Sequence, residues 1–118
     1  MPRLDLTIQV PTTDGVDKGA GQAIVPGDDA MFTNDGKTIL KVVNANVAAQ
    51  TFDLITPGTI GADALAIADK TVSIAGSTTE YCGPFATGIY NQPSGADSGK
   101  VYLDTASSDL TITAIRVP

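Results

Sequence analysis

Cys82 stands two residues after Glu80 in the stretch SIAGSTTEYCGPF, residues 73–85. They are the only cysteine and the only glutamate of the 118-residue chain. A thiol beside an acid raises nucleophilic chemistry first. A reactive thiolate needs a lowered pKa, which a cation, a histidine partner or a helix N-terminus provides. Glu80, Tyr81 and Gly83 provide none of these, and the chain has no histidine. Without histidine, one chain cannot build a Ser-His-Asp or Cys-His pair, and the commonest general base and metal ligand are missing. Cys82 is expected to be a small apolar side chain at the end of a strand.

Carboxylates are the other chemical resource. Asp28-Asp29 and Asp14 with Asp17 are the close pairs, both in Gly/Pro-rich stretches. Such loop aspartates are turn formers and caps more often than acid–base pairs. The chain also has only three Phe, three Tyr and no Trp with which to build a sugar platform. Asp28, Asp29, Asn34 and Asp35 bring four oxygen donors into one short segment, but not at EF-hand spacing. An irregular calcium site between loops stays open. Residues 19–27 are glycine-rich without the Lys-Ser/Thr ending of a phosphate-binding loop. No catalytic residue, metal ligand or cofactor is assigned.

The formal net charge is −6, and the seven Lys and Arg are scattered singly. Nucleic acid and anionic membranes select clustered positive charge, so neither is an expected partner. One cysteine forms no disulfide within the chain. There is no apolar run near the ~18 residues of a membrane span and no apolar leader in MPRLDLTIQVPTTDG. Folding in a reducing cytoplasm is expected.

The elements read as strands. Leu4, Leu6, Ile8 and Val10 alternate with polar residues, which predicts a half-buried strand over 4–10, ended by Pro11. Residues 11–29 read as loop, with Gln22–Val25 as a short strand. Asn34-Asp35-Gly36 predicts a hairpin joining a strand before it to 37–45, a dense run buried on both faces. Residues 50–56 place Phe52, Leu54 and Thr56 inward. Residues 59–70 read as a loop with at most one helical turn. Val72 and Ile74 point inward, Ala75-Gly76-Ser77 turns a second hairpin, and Gly83-Pro84 ends its partner so that Phe85 packs inward. A third hairpin joins 100–106, with Val101 and Leu103 inward, to 110–117, with Leu110, Ile112, Ala114 and Val117 inward. Seven to nine short strands, little or no helix and turn signals every eight to twelve residues predict an all-β fold. The form expected is an antiparallel β-sandwich, Ig-like or jelly-roll-like. One domain is expected, with an N-terminal strand and irregular arm over 1–30 and the sandwich over 31–118.

Within that pattern, GKTILKVVNANVAAQTFDLITPG, ADKTVSIAGSTTEYCGPF, GIYNQ and GKVYLDTASSDLTITAIRV resemble small virion proteins of tailed bacteriophages. The resemblance covers residues 36–117 and is to capsid decoration (cement) proteins. It implies a non-catalytic protein on the capsid exterior that binds the major capsid protein and stabilises the shell. It also implies a homo-oligomer, a trimer being favoured. It brings no functional residues with it. A tail-associated β-domain and an Ig-like carbohydrate- or receptor-binding module are the alternatives.

The residues expected to touch the capsid or a neighbouring protomer are Leu4, Leu6, Ile8, Val10 and Tyr81. The first four belong to a strand able to join a sheet edge of another chain. Tyr81 and Cys82 have opposite parity, so only one of them faces the core.

Overall fold

In Thr38–Asn44 every second side chain is fully buried: Thr38, Leu40, Val42 and Asn44, with Ile39, Lys41 and Val43 half-buried between them. That alternation, one face to a core and one face outward, recurs in every long strand and requires two sheets packed face to face. The computed structural model describes residues 4–15, 21–24, 29–57, 59–60, 62–63, 65–93 and 95–117. Its strands are β1 (Leu4–Asp5), β2 (Ile8–Gln9), β3 (Gln22–Ala23), β4 (Ala30–Thr33), β5 (Thr38–Asn44) and β6 (Gln50–Leu54). They continue with β7 (Thr59–Ile60), β8 (Leu65–Ala66), β9 (Lys70–Ile74), β10 (Thr79–Cys82), β11 (Lys100–Asp104) and β12 (Leu110–Arg116). One short helix, α1 (Thr87–Tyr90), precedes β11.

The first sheet runs β1-β4-β11-β6-β9. The second runs β10-β5-β12-β2, with β3 also on β12, and β7 and β8 form a separate pair. The all-β sandwich is therefore observed. Seven strands have four residues or more, and the other five have two. The sheets are mixed rather than antiparallel, because β1 lies parallel to β4 and β2 parallel to β12. Between the sheets lie Phe32, Phe52, Leu54, Ile74, Val101 and Leu103 from one side, and Leu40, Val42, Leu110, Ile112 and Ala114 from the other. Leu6, Ile24 and Phe85 plug the core from connecting segments. Each large buried side chain contributes about 1.5–3 kcal/mol by leaving water.

All three predicted hairpins are crossovers between sheets. β4 and β5 flank Asn34-Asp35-Gly36 but lie in different sheets, as do β9 and β10, and β11 and β12. The turn chemistry is as predicted: Gly36 has φ 90° and Ser77 φ 55°. An arch needs those conformations as much as a hairpin does, and both present one apolar face per strand. Alternation therefore does not distinguish them.

The predicted strand 4–10 is likewise split: β1 joins the first sheet and β2 the second, with Leu6 turned into the core between them. The described strands of residues 4–30 are built into both sheets, β1 and β4 into the first and β2 and β3 into the second. Residues 59–60 and 65–66 pair as strands, where a loop or helical turn was expected. β5 is fully buried on one face only, because nothing packs on the outside of its sheet among the described residues. Val117 lies past the end of β12 and is exposed.

Candidate functional site

Among the described residues, the buried polar side chains are committed to the fold. Asn34 Nδ2 donates to the Phe85 carbonyl at 3.1 Å and to Asn91 Oδ1 at 2.7 Å, and Asn91 Nδ2 returns a bond to the Asn34 carbonyl. This network holds the segment carrying Phe85, whose ring packs on Phe32 (centroids 5.4 Å apart) and Tyr90 (6.0 Å). At the other end of the sandwich, Asn44 Nδ2 lies within 3.2 Å of the carbonyls of Ala48, Ile74 and Ala75. Asn46 Nδ2 donates to Asp109. Among the described residues no buried side-chain nitrogen or oxygen lacks a partner. Buried polar groups satisfied in this way rigidify a fold and leave no donor aimed at a ligand.

The calcium candidates separate on the same grounds. Asp29 Oδ1 accepts from the Thr105 N–H, and Asn34 sits in the network just described. They flank β4 at its opposite ends, about 17 Å apart at strand rise, so they cannot share an ion. Asp35 bonds Lys37 N–H and Arg116 Nε (2.7 Å). The hydrogen bond from Arg116 is the main reason its carboxyl is held below the usual value. Asp14 is exposed; Asp17 and Asp28 lie outside the described residues. No group of three or more metal-ligating side chains occurs among the described residues.

Cys82 and Glu80 form no nucleophilic pair. Cys82 is half-buried against the core, and its thiol is pushed up by burial and then by the negative charge of Glu80. Glu80 uses Oε2 to accept the Ala75 N–H at 2.9 Å, clamping the arch between β9 and β10. Parity then sends Tyr81 outward, and it is 66% exposed.

Tyr81 belongs to a wider surface. Register aligns Tyr81 with Lys41 and Lys41 with Thr113; the next row is Thr79, Val43, Thr111 and Ala23. On the other side of Lys41 lie Ile39, Ile115 and Gln9. Lys41 is the only charged side chain in these rows. The outer face of the first sheet carries the opposite composition: Asp5, Asp53, Asp104 and Lys100 among Met31, Tyr102, Thr71 and Ser73. Asp53 and Asp104 are direct cross-strand neighbours, and Lys100 pairs with Asp5. The sandwich therefore has an acidic face and an almost uncharged one rich in Thr, Ile and Val.

The other predicted contact residues fall elsewhere. Leu6 is 3% exposed and belongs to the core. Leu4 and Ile8 are half-buried and pack against it, and Val10 is exposed beyond β2. None of the four lies beside Tyr81: β2 and β10 are the opposite edges of the second sheet. The rest of the uncharged face was not singled out from the sequence. Its parity is visible in β5, β10 and β12, but the strand order that gathers them is not.

Comparison with protein-family models, curated proteins and solved structures returned no match.

Proposed function

We propose that this protein is a non-catalytic structural component of a tailed-bacteriophage virion. Its role in this reading is head decoration: it binds the major capsid protein on the capsid exterior and stabilises the shell. The observation that carries the reading is the outer face of the second sheet. A rigid four-strand surface with one charge and an exposed tyrosine, on a chain of net charge −6, has the composition of a contact surface, where charges are depleted and aromatics enriched. The resemblance of residues 36–117 to decoration proteins supplies the partner class. Several copies on a symmetric shell, favoured as trimers, multiply a modest contact by avidity.

The test is co-sedimentation of the purified chain with undecorated capsids. Tyr81→Ala and Lys41→Glu are each expected to weaken binding about tenfold or more, as for central interface residues. Asp53→Asn, on the opposite face, leaves binding unchanged. Absence of capsid binding, with binding to a glycan array instead, overturns the proposal in favour of a carbohydrate-binding module.

A further inference from the structure

The N-terminal segment closes one side of the sandwich in both sheets. β1 donates Leu4 N–H to the Asp29 carbonyl (3.1 Å), and just past it Leu6 N–H donates to that of Met31 (2.8 Å). Thr7 N–H then donates to Gln22 Oε1 at 2.7 Å, and β2 lies along β12 with Ile8 beside Ala114 and Gln9 beside Ile115. Among the described residues, two parallel ladders of two residues, one buried plug, three half-buried side chains (Leu4, Ile8 and Gln9), the Thr7–Gln22 hydrogen bond and the Asp5–Lys100 surface pair make up this attachment. Short parallel ladders and exposed ion pairs each contribute little. The strands beneath are held far better: β4 pairs β11 along its full length, and β12 pairs β5 over all seven residues. Local opening begins in such lightly held segments.

We propose that residues 4–9 are a releasable strap. Its release uncovers the outer edges of β4 and β12, and the strand they then accept is the same segment of a second copy of this chain, giving a dimer by exchange. A bare edge accepts many strands through its backbone. These two edges favour one with a leucine to fill the cavity that Leu6 leaves and a carboxylate to meet Lys100. A second copy brings both at the right spacing. The twelve residues 10–21 that join β2 to β3 span up to about 40 Å when extended, close to the 43 Å longest dimension of the molecule. Exchange of an identical element is a low-cost route to a dimer. The inference does not depend on the virion reading.

Two measurements test it. By hydrogen exchange on the intact chain, the Leu4 and Leu6 amides are expected to exchange at least 100-fold faster than those of the β5–β12 ladder; equal rates overturn the proposal. For the exchange itself, concentrated protein is held in sub-denaturing urea, returned to buffer and sized by light scattering. A dimer is expected, and its failure to form overturns the proposal. Asp5→Cys with Met31→Cys, in a Cys82→Ser background, places two cysteines on register partners of adjacent strands, about 4.8 Å apart and within disulfide reach. Oxidised as a monomer, this variant is expected to stay monomeric; oxidised after dimerisation, it is expected to run as a covalent dimer on a non-reducing gel. Dimerisation of the stapled monomer to the parent extent, or a monomer band from the oxidised dimer, overturns exchange through this strap.

Discussion

At the level of single residues, Cys82 shows how the fold sets the chemistry of a side chain. Burial and Glu80 raise its thiol pKa, so at neutral pH it holds its proton and lacks the charge of a nucleophile. Alkylation by iodoacetamide should therefore be slow at pH 7, with a pH–rate inflection above that of a free thiol, and unfolding should remove the difference. The sign for stability follows: folding favours the protonated thiol. The contribution of Cys82 is fully present below the unfolded-state value, about 8.5, and is lost as pH rises through the folded value. Glu80→Gln should lower the inflection by removing the nearby charge. It should also loosen the arch that Glu80 clamps, so amide exchange at Ala75 should rise.

The elements show where a linear reading succeeds and where it stops. Phe52, Leu54, Val101, Leu103, Leu110 and Ile112 face inward as their alternation predicts, because burial in a sheet has period two. Pairing partners are not encoded in that period. The turns 34–36, 75–77 and 107–109 carry hairpin chemistry, yet each sends the chain to the other sheet. The reason lies in tertiary contacts. Glycine at 76 is required not by its own φ but by the loop after β5: a Cβ there would sit 2.0 Å from the Val47 carbonyl oxygen. Gly76→Ala should cost about 2–3 kcal/mol and lower the melting temperature by roughly 10–15 °C. Gly88→Ala meets nothing within 4 Å and should be neutral or slightly stabilising. The candidate site is legible in part: alternation leaves Tyr81 and Cys82 as alternatives of opposite parity and burial of Cys82 puts Tyr81 outward, while Leu6 has the apolar character of a contact residue and the burial of a core one.

For the whole molecule, the difference between the two outer faces sets how it can meet a partner. The face with Asp5, Asp53 and Asp104 favours solvent, since like charges such as Asp53 and Asp104 repel a flat, dry contact. The face with Tyr81 and Lys41 carries no such penalty. A single charged residue on it also fixes the sign of any partner group opposite: a carboxylate is favoured there and a lysine or arginine is rejected.

The alternation of the chain between sheets also governs how it can be made. No two consecutive long strands up to β6 pair with one another, and β5 lacks its partner on one side until β12 exists. A chain emerging from the ribosome can pair β6 with β9 and β5 with β10 early, but the second sheet lacks its inner strand and the core lacks Leu110, Ile112 and Ala114 until residues 110–116 have cleared the exit tunnel, so closure of the core is a late event. Chains ending at Asp109 should show no dispersed amide spectrum and should be cut rapidly by protease, and a synthetic peptide of residues 110–117 added in excess should restore both properties.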